Sequence, residues 1–364
     1  MSRQLILSII AITFGRLVIN ITKRFPYPFV SAIAGQFAVA PSAIQNVIAL
    51  NNATGLLSPA FGTLSEKYGR KPVMLVMLGI MSVASLLGVL IPEYSIFVLA
   101  MIAFGFGKII YDPTFQAYCG DVIFLNSRAT IMCITELGWA GSLIITSHVV
   151  GFILDTSTMR SVFVFLTLCL VLGFIAVWQF AESDVRSSSE KNAIKIISPI
   201  AALNIIRQHR PAVFGLIFAF CLTSSNELFF INYGLWMERS FDLALTALGT
   251  VTIVVAIAEV IGEFIVIGVA DRIGTKRTAL GGALLATIFY LIIPSLSYSL
   301  PLALAGIFFM FVGVETAIVA SIPMFTEILP NARAVMMSGN MGAHSLGRVI
   351  GAAFGGFIYA TTGE

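Results

Sequence analysis

Charge is the scarcest property of this chain. Asp, Glu, Lys and Arg together make 11% of its 364 residues, against roughly a quarter in soluble domains, and the mean hydropathy is +0.97. A water-soluble fold is excluded on that ground, and the chain reads as an integral membrane protein. Cysteine is scarce too. Cys119, Cys133, Cys169 and Cys221 lie within or beside apolar runs with no CxxC or Cys/His spacing, so they read as small hydrophobes and imply neither a disulfide framework nor a structural metal. His148, His209 and His344 stand on separate segments. With no His/Glu metal spacing, phosphate loop or nucleophile motif, no metal, cofactor or enzymatic reaction is expected. A net charge of +3 gives no footprint for nucleic acid. Met1 to Gln4 before an apolar run outlines a signal sequence, but no small-residue cleavage site precedes Arg16, Lys23 and Arg24. The N-terminus is therefore read as an uncleaved first helix.

What is abundant is apolar length. A span needs about 20 mostly apolar residues, which places helices near 4–35, 41–65, 71–92, 94–118, 128–153 and 159–181, then 211–237, 243–270, 277–298, 300–325 and 332–360. Pro26 and Pro28 break the outer half of the first, Pro41-Ser42 suits the start of the second, and Pro294 to Pro301 divides one long uncharged run into two spans. Residues 182–210 are polar and carry five cations. They form the linker between an N-terminal bundle, 1–181, and a C-terminal bundle, 211–364. Within the linker, 196–206 is either a short helix at the membrane surface or a partly ordered loop.

The 21 Lys and Arg test the orientation. Fourteen fall at ends assigned to the cytoplasm; Lys23, Arg24, Arg160 and Arg239 fall opposite, and Arg16, Lys108 and Arg348 lie inside spans. That asymmetry places the N-terminus in the cytoplasm of a multi-pass protein of the cell membrane.

Between the second and third helices stands Gly62-Thr63-Leu64-Ser65-Glu66-Lys67-Tyr68-Gly69-Arg70-Lys71, a tight turn of small residues, one carboxylate and three cations. It resembles the signature loop of the major facilitator superfamily, with Glu66 where most members carry Asp. A shift of 205 positions lays Glu66, Gly69 and Lys71 on Asp271, Gly274 and Lys276, Arg128-Ala129 on Arg333-Ala334, and Gly151-Phe152-Ile153 on Gly356-Phe357-Ile358. Three matches at one offset indicate parallel repeats with an even number of helices each. The resemblance implies an all-α membrane fold of two pseudo-symmetric six-helix bundles, of which eleven helices are seen and the twelfth is absent. Either the protein continues beyond Glu364 or it has eleven spans; the repeat favours the first. The resemblance also implies a cytoplasmic gate. Phe104-Gly105-Phe106-Gly107, Pro113 and Asp121 look like a worn form of the superfamily's fourth-helix pattern, so Asp121 would pair with Arg70, and Glu66 would cap the eleventh helix.

A charge at mid-membrane costs about 2.5 to 3.5 kcal/mol on insertion scales, so each needs a partner or a watery cavity. At ~1.5 Å per residue from Gln4, Arg16 lies about 18 Å deep, while Lys23 and Arg24 reach the outer surface. Glu136 and Trp139 share a face of the fifth helix, where a carboxylate beside an indole suits a cation or a proton. Glu227, Glu259 with Glu263, and Glu315 add carboxylates on the seventh, eighth and tenth helices, and His344 and Arg348 are one turn apart on the eleventh. Each is either a fixed interhelical pair or part of a central path. Lys108 and Asp112, also one turn apart, satisfy one another and are weaker functional candidates.

The resulting expectation is secondary active transport of a small drug-like or sugar-like solute by alternating access, as proton-coupled efflux, by a monomer in the lipid bilayer. Alternatives are a facilitated uniporter or a non-transporting receptor or scaffold on the same fold; a scaffold has no need of costly charges on several helices. The Gly-Pro pair typical of many proton antiporters of the superfamily is missing from the fifth helix, which weakens drug-proton antiport.

Overall fold

Proline and glycine set the helix ends. The computed structural model describes residues 3–61, 64–122, 125–182, 199–329 and 332–362. Helix α1 (Arg3–Arg24) stops short of Pro26, because proline lacks an amide donor and disfavours helix in the residue before it. A run of turns through Phe29 leads to α2 (Val30–Gln36). Its end is a Schellman arrangement: Val39 N donates to Ala34 O at 3.0 Å, Ala38 N to Gly35 O at 3.2 Å, and Ala38 sits at φ +53° where glycine is the usual occupant. Helix α3 (Pro41–Ala53) starts on its proline, bent 111° from α2.

The second span continues through a 3-10 turn (Thr54–Leu57) and α4 (Ser58–Phe61), and α5 (Leu64–Tyr68) leads to Gly69. Then come α6 (Arg70–Leu90), α7 (Tyr94–Val122), α8 (Leu125–Thr156) and α9 (Met159–Phe180). After α10 (Pro199–Gln208) follow α11 (Arg210–Phe241), α12 (Leu245–Ile273), α13 (Thr275–Leu296), α14 (Leu300–Ile328) and α15 (Arg333–Thr362). Among the described residues nine helices are long and apolar enough to cross a membrane, or ten if the bent pair of α2 and 41–57 is one span. Helix α15, 30 residues long but carrying His344 and Arg348, completes eleven long segments. The division expected between Pro294 and Pro301 falls at Ser297–Ser299, with Pro294 itself inside the last turn of α13.

Gly69 and Gly274 have nearly the same backbone, φ +92° and ψ +154° against φ +91° and ψ +144°, each beginning a helix. Only glycine adopts that conformation readily. The two turns that the 205-residue offset pairs are thus built alike.

Helix α1 packs against α7, α8 and α9, and α6 against α7 and α9; in the C-terminal group, α14 packs on α12 and α13, and α11 on α15. The groups meet along two seams, α8 with α12 and α3 with α15. Glycine makes the seams close. A methyl on Gly249 of α12 would lie 2.9 Å from the carbonyl carbon of Ser147 on α8, and one on Gly356 of α15 would lie 2.7 Å from Gln45 of α3. Outward, Val76 and Val83 on α6, Leu168 and Leu172 on α9, and Leu284 and Leu291 on α13 are exposed, as side chains facing lipid tails would be.

Candidate functional site

Four polar residues of α1 recur at helical spacing, Arg16, Asn20, Lys23 and Arg24, and all are buried. Residues at i, i+4, i+7 and i+8 share one face, so the most enclosed helix presents a ladder of three cations to its neighbours. Each cation finds a different solution.

Arg16 Nε donates to Asp112 Oδ1 at 3.3 Å, and Lys108 Nζ donates to Asp112 Oδ2 at 2.7 Å and to Asn20 Oδ1 at 2.6 Å. The expected Lys108–Asp112 pair is therefore present, with Arg16 as a third member. The Arg16 guanidinium also lies 5.0 Å from the centre of the Phe115 ring.

Arg24 forms a fork on Glu259 of α12, Nη1 to Oε2 at 2.8 Å and Nη2 to Oε1 at 2.7 Å, and Nη1 donates to the Trp139 carbonyl at 3.0 Å. Trp139 Nε1 reaches the same carboxylate at 3.3 Å, while its ring lies 4.3 Å from the Arg24 guanidinium and 5.0 Å from Lys108 Nζ. Bidentate geometry of this kind is the strong form of the ion pair. This one joins the two groups of helices.

Lys23 Nζ is held by two neutral amides of α3, Asn51 Oδ1 at 2.5 Å and Asn52 Oδ1. Asn52 in turn donates to Glu227 Oε1 of α11 at 3.0 Å, and Tyr27 donates to the same oxygen at 2.6 Å. The expectation that Lys23 and Arg24 reach the outer surface is wrong: they are 7% and 2% exposed. The depth was counted by helical rise from Gln4, and the chain runs on through the turns at 25–29 and α2 before α3 turns back, so Arg24 is not the far end of this excursion. Without Lys23 and Arg24 the cations counted on the external side fall from four to two, Arg160 and Arg239.

Arg348 of α15 and Asn226 of α11 meet these groups around a cavity of about 40 Å³, walled also by Phe230 and Phe311. Among the described residues Arg348 has no hydrogen bond or ion pair, although it lies within electrostatic range of Glu227 and Lys23. His344, one turn before it, meets the Thr223 hydroxyl at 2.5 Å. That hydroxyl donates to Ala219 O at 2.6 Å, so His344 Nδ1 serves as the donor. Glu315 is half-buried on α14, close to Gly262 of α12, where an added methyl would fall 2.8 Å from its Cβ. The Glu136 side chain lies outside the described residues.

The end of the bundle away from the Gly69 and Gly274 turns is closed. Tyr27 stacks on Phe230 with centroids 4.8 Å apart, Gln45 Nε2 donates to Asn232 Oδ1 at 2.8 Å, and Ser31 Oγ donates to Glu238 Oε1 at 3.3 Å. Asp155 at the end of α8 accepts from Thr246 N at 2.9 Å in the first turn of α12, where the helix dipole favours an anion.

At the other end Arg70 is buried, its Nη1 2.5 Å from Ser65 Oγ, and Lys71 Nζ donates to Ala181 O at 2.6 Å. The expected partners of this turn, Gly62 and the side chains of Glu66, Asp121 and Asp271, lie outside the described residues. Sequence reasoning missed Tyr27, Asn51 and Asn52, the last two an available signal as adjacent amides inside an apolar span.

A family model described as Major Facilitator Superfamily matches residues 12–236 and 216–363. The chain belongs to the Major Facilitator Superfamily. It is a multi-pass membrane transporter and not an enzyme. Among superfamily relatives in Bacillus subtilis (strain 168), it is 24% identical over 302 residues to the uncharacterized MFS-type transporter YceJ, covering 83% of this chain and 76% of that one. It is 23% identical over 314 residues to Multidrug resistance protein 2, covering 84% and 76%. Its fold is similar to a bacterial homolog of the human lysosomal transporter Spinster in an inward-facing, unoccupied conformation, with a TM-score of 0.76 at 16% identity over 99% of this chain and 84% of that one. It is similar also to a D-xylose-proton symporter, with a TM-score of 0.71 at 14% identity, covering 98% and 89%.

Proposed function

We propose that this superfamily member exports a small organic solute across the cell membrane by alternating access, driven by protons that bind Glu259. Bundles 1–181 and 211–364, joined by the cytoplasmic linker 182–210, rock about the cavity, and the Gly69 and Gly274 turns lie on the cytoplasmic side with the N-terminus. Glu66, Arg70 and Asp121 act there as a gate lock.

The observation that carries this reading is the Arg24–Glu259 fork, which ties α1 to α12 across the cavity. Protonating Glu259 removes the charge that holds Arg24 and loosens the tie between the groups. A proton that favours the separated arrangement must bind it more tightly, with a coupling of about 1 to 3 kcal/mol. Glu227 is a second such carboxylate, held across the same gap by Tyr27 and Asn52; Glu136 and Glu315 are further candidates. The likeness to Multidrug resistance protein 2 supports export of a drug-like solute.

The test is transport in proteoliposomes with an imposed pH gradient. Glu259→Gln should leave solute exchange in place and end gradient-driven accumulation. Full gradient-driven transport by Glu259→Gln and by the equivalent Glu227, Glu136 and Glu315 variants would replace this reading with a uniporter whose buried charges only hold helices together.

A further inference from the structure

Lining the central cavity are three cations, Lys23, Arg24 and Arg348, and two carboxylates, Glu227 and Glu259. With both carboxylates ionised, the described lining groups carry one unbalanced positive charge. Arg24 is spent on Glu259 and Lys23 rests on amide oxygens, whereas Arg348 makes no hydrogen bond among the described residues. A guanidinium presents five donors in a planar fork that matches a carboxylate. Two more polar atoms at this cavity are buried and unpartnered, the donor Arg24 Nε and the acceptor Asn226 Oδ1. Such atoms are uncommon in folded proteins and call for an explanation.

Taking the cavity as the transport site proposed above, we infer that it receives an aromatic monoanion, its carboxylate on Arg348 beside Lys23 and a hydroxyl or amide donor on Asn226. One negative charge balances the excess. The walls suit a ring: Tyr27, Trp139, Phe230 and Phe311 all face the space, and aromatic faces pack in offset or edge-on contacts about 4.5 to 7 Å between centroids. At about 40 Å³ the cavity is too small for such a molecule. The solute therefore enters while α8 and α12, or α3 and α15, stand further apart.

A charge series on one ring tests this: 4-hydroxybenzoate, 4-hydroxybenzamide and 4-hydroxybenzylamine, with binding to the purified full chain followed by calorimetry. The benzoate should bind at least ten-fold more tightly than the amide and more tightly still than the amine. Arg348→Gln should bring the benzoate-to-amide ratio close to one, and Arg348→Lys should restore part of it. The unliganded melting temperature of each variant separates a binding defect from misfolding. Equal or tighter binding of the amine, no binding of the benzoate, or a benzoate-to-amide ratio unchanged in a folded Arg348→Gln protein would overturn the inference. The outcome is separable from that for proton coupling: preference for the benzoate through Arg348 without gradient-driven transport keeps the anion site and removes the proton, and the converse result does the opposite.

Discussion

Replacing Gly249 with alanine should pry the two groups of helices apart at their closed end. The added methyl would fall 2.9 Å from the Ser147 carbonyl carbon and nearer still to its oxygen, well inside ordinary van der Waals contact. The obstacle is backbone rather than a side-chain tip, so no rotamer change relieves it and α8 must move from α12. Overpacking of this kind costs about 1 to 3 kcal/mol. Here the cost falls on the closed arrangement alone and should shift the closed-to-open equilibrium by about 5- to 150-fold. Spin labels at Ser157 and Ala244, both exposed near the seam, in a background without native cysteines, should gain a longer-distance population in pulsed electron resonance.

Gly282→Ala is the control. Its methyl would lie 2.6 Å from Gly313 O, between α13 and α14 of the same group, so it should lower the melting temperature without changing the 157–244 distances. If Gly249→Ala lowered stability as the control does and left those distances unchanged, the seam would be static packing and the reasoning would fail.

Ala38→Gly should stabilise the protein, since an L-residue in the left-handed region costs about 1 to 2 kcal/mol and the entropy penalty of glycine takes back about 0.5 to 1; a net gain of up to about 1.5 kcal/mol should raise the melting temperature, and a fall would show that Ala38 is held without strain. Arg70→Ala should lower turnover more than solute affinity, and lost affinity with unchanged label distances would move Arg70 from gate to binding site. A membrane-impermeant maleimide applied from outside should label single cysteines at 295–300 and not at 187–191; the reverse would invert the topology.

Helix number and helix ends were legible because they rest on local physics: apolar length, proline at starts, and glycine at the two turns. Charge partners were less so. Lys108 and Asp112 could be paired because one turn of a helix separates them, but the fork between Arg24 and Glu259 joins residues 235 positions apart, and no periodicity carries that. The depth of Lys23 and Arg24 was misjudged although the signal was present, since Arg16, Asn20, Lys23 and Arg24 share one face. A polar ladder on a helix inside a bundle points inward, and that rule outweighs a distance counted from the chain start. Tyr27 escaped notice because its role depends on the turn after Arg24, whose shape the sequence marks only as a break.

The Trp139 ring lies against both the Arg24 guanidinium and the Lys108 ammonium, with its ring nitrogen on Glu259. Indole emission responds to charges near the ring, and two of these three are fixed to the same group of helices as Trp139 while Glu259 belongs to the other. Separation of the groups would take the carboxylate away and leave the cations in place, altering the field across the chromophore with no label attached. Trp178 is 60% exposed on the outer face of α9 and would supply a steady background, while Trp236 on α11, packed on Phe229 and Phe241, is replaced by phenylalanine for the measurement. If the groups part as proposed, Trp139 is an optical gauge of that movement, readable in a cuvette by the colour of the fluorescence.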